Sequence, residues 1–174
     1  MVVRPQAAYE DIQGQRVYYD VHGSRLEVGQ KAPDFELVGY DGMTVRLKNF
    51  APGRKLFNVV NSVDTDICDG ETCKFDQAQN TPDLPRGVVL CTMSMDLPYA
   101  LNRFRQSREL QHLLLSAHRS EEFGRAYGAL MMPDRLLQRS VFVLDRDDTL
   151  LFVKYFADQG VVPDYTDTLA ALRS

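Results

Sequence analysis

The chain has 174 residues, 44% of them hydrophobic and 25% charged, a balance that suits a globular domain and excludes a disordered, fibrous or collagen-like chain. Its formal net charge is −4 with acids and bases mixed throughout, so no basic run marks it for nucleic acid or for an anionic membrane surface. The longest apolar stretches are strand-sized, too short to cross a bilayer, and the opening MVVRPQAAYEDIQGQ turns polar before a signal-peptide core develops, which leads to the expectation of a cytoplasmic protein.

The residues from about 8 to 27, punctuated by Gly14 and Gly23, read as an N-terminal hairpin. Phe35 and Leu37 then alternate with polar neighbours, Asp41-Gly42 turns the chain, and Met43, Val45 and Leu47 alternate again. KLFNVVN, over 55–61, is a continuous apolar strand of the kind covered on both faces. After SVDTD the pattern predicts a helix over 67–79, with Phe75 and Ala78 facing inward. RGVVLCTMSMD reads as a second buried strand, LPYALNRFRQS as a short helix, 112–116 as a brief third strand, and EEFGRAYGAL as a short helix ending near Gly128. RSVFVLDRDDTLLFVKYF predicts a hairpin turned at Arg146-Asp147-Asp148, and PDYTDTLAALRS a closing helix begun after Pro163. Strands alternating with helices imply an α/β sheet, parallel in the middle with antiparallel additions. No repeat, low-complexity segment or linker divides residues 1–174, which read as a single domain.

Cys68, Cys73 and Cys91 are an odd number in a chain too long to need staples, which argues against a secreted disulfide framework. A close pair such as Cys68 and Cys73 in a reducing compartment is more often catalytic or metal-binding than structural. Cys68 falls in the first turn of the expected helix, at the carboxyl end of a buried strand, where α/β folds place their sites. Free backbone N–H groups and the helix dipole there favour a thiolate, and Asp64, Thr65 and Asp66 are suitable caps. Asp66 and Asp69 oppose a thiolate, so such chemistry requires a nearby cation. An isolated cysteine in this position reads more readily as a small buried hydrophobe, free cysteine being among the most buried residue types. His22, His112 and His118 are scattered away from any nucleophile motif, and the chain has no Gly-rich phosphate loop and no paired-carboxylate constellation.

The run Asn61-Ser62-Val63-Asp64-Thr65-Asp66-Ile67-Cys68 resembles the peroxiredoxin signature of proline, three residues, threonine or serine, two residues, cysteine. VGQKAPDFELV, SVDTDIC, KFDQ, VVLCTMSMDLPYALNRF, EEFGRAYG, RSVFVLD and PDYTDTLAAL follow in the order of the bacterial thiol peroxidase subgroup, over about residues 26–172. The resemblance implies a thioredoxin-like fold with a central mixed sheet, flanking helices and an N-terminal hairpin. It also implies a homodimeric, thiol-dependent peroxidase acting on hydrogen peroxide and organic hydroperoxides through a cysteine sulfenic acid. Such an enzyme is reset by a thioredoxin-like reductant and needs no metal or other cofactor. Position by position, Cys68 matches the peroxidatic cysteine, and Thr65 the hydroxyl that bonds peroxide and thiolate. Arg139 matches the site cation, a guanidinium fork that stays charged at any relevant pH.

The chain departs from that pattern at Asn61, which stands where the family has proline, and at Arg105, which stands where the subgroup has its resolving cysteine. The loop between Tyr127 and Arg139 is also shorter. Cys73, five positions after Cys68, matches the resolving spacing of the bacterioferritin-comigratory (Q-type) group. The alternative is a one-cysteine enzyme reset by an external thiol. Cys91, in the middle of VVLCTMS, reads as core. Two other classes stay open: a copper-chaperone-like module using Cys68, Cys73 and a histidine as soft ligands, and a redox sensor on the same fold with little turnover.

Overall fold

The computed structural model describes residues 6–11, 13–82, 84–161 and 164–173. The chain opens with an antiparallel hairpin of β1 (Gln6–Glu10) and β2 (Arg16–His22), registered from Gln6 opposite Asp20 to Glu10 opposite Arg16. Asp11 shapes its turn, because one carboxylate oxygen accepts the N–H groups of Gln13 and Gln15 at 2.9 and 2.8 Å. The hairpin is therefore offset from the expected 8–27. It starts earlier, and it ends at Gly23, whose φ of 100° turns the chain out of the ladder. Only glycine fits there, since a Cβ would collide with the Arg125 carbonyl.

The strands β3 (Glu36–Gly39) and β4 (Thr44–Arg46) pair across the Asp41-Gly42 turn. They are followed by β5 (Lys55–Val59), α1 (Asp66–Ala78), β6 (Val89–Ser94), α2 (Pro98–Ser107), β7 (Leu113–Ser116) and α3 (Glu122–Ala126). The short β8 (Leu130–Met132) and β9 (Leu136–Leu137) lead into β10 (Ser140–Leu144), β11 (Leu150–Tyr155) and the closing α4 (Thr166–Arg173).

The main sheet has the order β11-β10-β5-β6-β7-β3-β4. β5, β6 and β7 run parallel, while β10 and β3 add antiparallel on either side of them. Both faces of β5 and β10 are buried, which accounts for their mainly apolar residues, and Lys55, Asn58 and Ser140 are buried with them. Successive residues alternate between the layers, so Phe57, Val59 and Phe142 join one core with Phe35, Phe123 and Tyr127. Leu56, Val141 and Val143 join another core with Phe75 and Leu172. A third cluster of Val60, Val63, Cys68, Leu101, Phe104, Leu110 and Leu114 packs α1 and α2 over the ends of the central strands.

The loop between Tyr127 and Arg139 holds what the sequence pattern does not show. β8 pairs with β2, matching Val21 to Met131, and β9 pairs with β8, so the N-terminal hairpin becomes part of a second, four-stranded sheet. Ala7, Tyr19, Val21 and Met131 form its small core. This sheet delivers Leu137 and Arg139 to the carboxyl end of β5. Among the described residues no helix is long and apolar enough to cross a membrane.

Candidate active site

The chain leaves β5 through buried Val60 and Asn61 and makes a tight turn before α1. Asp96 gathers that turn, accepting the Ser62 hydroxyl at 2.7 Å, the Val63 N–H at 2.8 Å and the Ser94 hydroxyl at 2.8 Å. Thr65 caps α1 in an extended conformation, with φ −97° and ψ 138°, and makes no side-chain cap bond. The N–H groups of the first turn, Cys68 among them, therefore lack intrahelical acceptors and present the positive end of the helix. Cys68, Glu71, Thr72 and Phe75 recur at the helical period and form the inward face of α1.

Arg139, at the entry to β10, is 1% exposed. Its Nη2 lies 3.3 Å from the Cys68 sulfur, and its Nη1 donates to the Val161 carbonyl at 3.0 Å. Its Nε is 2.9 Å from a Glu71 carboxylate oxygen, and its backbone N–H donates to Gln159 Oε1 at 2.7 Å. A guanidinium held on several sides thus sets a positive charge beside the sulfur. Of the opposing acids, Asp69 is engaged in an ion pair with Arg108 and Asp66 is exposed.

Asn61 completes the sulfur's surroundings. Its Nδ2 donates to the Leu137 carbonyl at 2.8 Å and to Gln159 Oε1 at 3.1 Å, which leaves Oδ1 facing the Cys68 sulfur at 3.9 Å. Cys68 itself is fully buried. Beside the first turn of α1 a cleft of about 270 Å³ opens, bordered by Thr65, Asp69, Phe104 and Arg108.

The structure therefore brings Cys68, Arg139 and Asn61 together. Thr65 lies one turn before the cysteine, and its hydroxyl donates to the Ser62 carbonyl at 3.0 Å rather than to sulfur. Cys73 is half-buried in the same unbroken helix as Cys68, a ~7.5 Å rise away. Its thiol donates to Asp69 at 3.3 Å, and burial together with that carboxylate pushes it up to about 11. Cys91 is fully buried in β6, and burial pushes its thiol up as well. Arg105 lies over the Tyr40 ring, 4.5 Å from its centroid. Among the described residues no group of three His, Cys, Asp or Glu side chains is arranged to hold a metal ion.

His112 belongs to a buried polar chain instead. Asp76, near the end of α1, accepts the His112 ring nitrogen at 2.6 Å and the backbone N–H groups of Gln111 and His112 at 2.8 and 3.0 Å. The other ring nitrogen pairs with the Thr92 hydroxyl at 2.9 Å, which also receives the Asn58 amide at 3.3 Å.

Sequence reasoning missed Glu71 and Gln159. Glu71 carried a readable signal, a charged residue on the inward face of a helix, one turn after the cysteine. Burial pushes its carboxyl up from 4.5 to about 7 despite Arg139 beside it. Folded protein thus holds this proton more tightly than unfolded chain, and wild-type stability should fall as pH rises from about 4.5 to about 7. A Glu71→Gln variant lacks that loss. Its stability relative to wild type, followed by urea unfolding, should rise by ~3 kcal/mol across this window and stay level above it. A difference that is flat with pH would show that Arg139 keeps Glu71 charged throughout.

Residues 27–169 match the model of the Redoxin family. The thiol peroxidase of Staphylococcus haemolyticus is 40% identical over 153 residues, which cover 87% of this chain and 91% of that protein. The thiol peroxidase of Halalkalibacterium halodurans is 36% identical over 153 residues, covering 87% of this chain and 90% of that protein. Among solved structures, a peroxiredoxin-like protein from Aquifex aeolicus superposes with a TM-score of 0.83 at 25% identity, over 97% of this chain and 95% of that one. The thiol peroxidase from Chromobacterium violaceum shares the fold, with a TM-score of 0.83 at 21% identity over 99% and 98% of the two chains. The chain therefore belongs to the Redoxin family, as a peroxiredoxin-type peroxidase on a thioredoxin-like fold.

Proposed function

We propose that Cys68 is the peroxidatic residue and that the enzyme reduces hydrogen peroxide and organic hydroperoxides through a sulfenic acid at this position. The observation that carries this reading is the Arg139 guanidinium, 3.3 Å from a buried sulfur in the first turn of α1. The thiolate attacks one peroxide oxygen, so that an S–O bond forms as the O–O bond breaks. Sulfur loses two electrons, and the departing oxygen takes a proton to leave as water or an alcohol. Arg139 and the first-turn N–H groups stabilise charge on the oxygens. Peroxide enters from the cleft beside α1 through a local opening at the sulfur. Thr65 turns its hydroxyl from the Ser62 carbonyl to align the substrate.

Cys73 is the proposed resolving thiol. In the intact helix it is too far from Cys68 for a disulfide, and it is held as a neutral thiol against Asp69. Unwinding the first turns of α1 removes both obstacles at once. Gly70, between the two cysteines, lowers the cost of unwinding by roughly 1 kcal/mol relative to alanine. The disulfide forms with loss of water, and a thioredoxin-like reductant opens it by exchange. The reading includes a homodimer, on the strength of the family resemblance, and a cytoplasmic location, on the strength of the sequence pattern. Against the copper-chaperone-like alternative stands the guanidinium at the sulfur, which would repel a metal ion.

Coupled turnover with thioredoxin, its reductase and NADPH tests the reading, with sustained peroxide-dependent oxidation of NADPH as the expected result. A sensor with little turnover would stop after about one equivalent. Peptide mapping after one equivalent of peroxide should find Cys68 joined to Cys73, with reduced helical circular dichroism. Cys73→Ser should accumulate the Cys68 sulfenic acid and keep less than about a tenth of the thioredoxin-coupled rate, a barrier increase of ~1.4 kcal/mol. Free Cys73 after stoichiometric oxidation would transfer resolution to an external thiol.

A further inference from the structure

Asn61 and Gln159 form a buried unit that the peroxidase reaction described above does not use. Gln159 is 1% exposed and its polar groups are occupied. Its backbone N–H donates to the Ala8 carbonyl at 2.8 Å, and its Nε2 donates to the Phe156 carbonyl. This fixes Oε1 as the acceptor for the Arg139 N–H and for Asn61 Nδ2. Asn61 has its own amide hydrogens engaged by Gln159 and by the Leu137 carbonyl, at 3.1 and 2.8 Å. A flipped Asn61 carboxamide would set its oxygen against two carbonyl-type oxygens, so the observed orientation is the one the surroundings enforce. One consequence follows for the sulfur, which has a donor, Arg139 Nη2, at 3.3 Å and an acceptor, Asn61 Oδ1, at 3.9 Å.

An acceptor gives nothing to a thiolate, which has no hydrogen to donate. A sulfenic acid differs, because oxidation adds a hydroxyl to the sulfur and with it a donor. We propose that Asn61 is a binding residue for the oxidised state, its side-chain oxygen accepting the hydrogen bond of the Cys68 sulfenic acid, and that Gln159 is the positioning residue that aims it. The unit holds the sulfenic acid at its site of formation beside Arg139 and slows its encounter with the next thiol. The inference rests on the proposed sulfenic acid chemistry at Cys68 and deepens it.

The test uses the full chain carrying Cys73→Ser, so that only an added thiol consumes the sulfenic acid. After one equivalent of hydrogen peroxide, thionitrobenzoate is added. Its sulfur bonds to Cys68 as the S–O bond breaks, water leaves, and the loss of yellow colour gives the rate. Asn61→Ala and Gln159→Met should each raise this rate several-fold, and the double variant should be no faster than the faster single, since both break one chain. Gln159→Glu in its neutral form keeps an acceptor for Asn61 and Arg139 and a hydroxyl for the Phe156 carbonyl, so it should restore the slow rate that Gln159→Met loses. General loosening of the fold would not distinguish glutamate from methionine in that order. Either single variant suffices if the other fails to fold, and native circular dichroism identifies those that qualify. Unchanged rates in the folded variants, or effects that multiply in the double variant, would overturn the proposal. If peroxide yields no sulfenic acid in the parent, the reading of Cys68 as peroxidatic falls and this inference with it.

Discussion

Replacing Cys68 with serine is expected to reduce kcat/KM for hydrogen peroxide by on the order of a thousandfold or more, about 4 kcal/mol of barrier. The nucleophile must be an anion, and a serine hydroxyl at this position does not ionise near neutral pH even with a guanidinium beside it. The fold should survive. The hydroxyl is slightly smaller than the thiol, and it finds polar partners where the sulfur has them, at Arg139 Nη2 and Asn61 Oδ1. Peroxide consumption together with near- and far-ultraviolet circular dichroism separates loss of chemistry from loss of structure. A folded serine variant that turns over within tenfold of wild type would refute Cys68 as the peroxidatic residue.

Arg139→Met should lower kcat/KM by about 10²–10³, the range seen when one preorganised donor to a developing negative charge is removed. The substitution also strips a buried carboxylate of its partner, because Glu71 sits 2.9 Å from Arg139 Nε and is almost wholly enclosed. Breaking such a pair from one side costs up to ~3–5 kcal/mol while the remaining group stays charged, so the loss should grow as pH rises beyond the range in which Glu71 takes up a proton. The informative protein is therefore the double variant Arg139→Met with Glu71→Gln. It should recover much of the lost stability, measured as Tm, and none of the lost activity. Recovery of activity along with stability would mean that Arg139 serves the packing of α1 and not the peroxide.

Much of this site is legible in the residues themselves. KLFNVVN and VVLCTMS are mainly apolar with no regular polar alternation, as a strand covered on both faces requires, and a strand–turn–helix passage then places Cys68 at the start of α1. Arg139 is harder to find, since an arginine before a strand is commonplace, and it is the ordered resemblance along the chain that singles it out. The second sheet was not legible. β8 and β9 are too short for an alternating pattern, and β8 exists because β2, over a hundred residues earlier, offers it an edge. Glu71 and Gln159 were overlooked for a related reason. Their importance lies in what meets them across the fold, and nothing local to either residue names Arg139 or Asn61 as the partner. At Asn61 the sequence shows that a proline is missing but not that a glutamine near the end of the chain receives the amide in its place.

The buried chain from Asp76 through His112 and Thr92 to Asn58 bears on how α1 would recover in the cycle proposed above. It fastens the last turns of α1 to β5, β6 and the approach to β7. Although burial alone would raise the Asp76 carboxyl, His112 and the two backbone N–H groups hold it below the usual carboxylate range, so the fastening persists into mild acid. Unwinding that begins at Cys68 in the proposed cycle therefore stops short of Asp76 and leaves a coiled stub. The difficult event in making a helix is its first turn, which fixes several residues for one hydrogen bond. With the stub in place that event never has to be repeated. Once the proposed Cys68–Cys73 disulfide is reduced, the freed residues would add to an existing template one hydrogen bond at a time, on the nanosecond-per-residue scale of helix elongation. Re-forming the nucleophile's pocket is then far faster than the thiol exchange that precedes it.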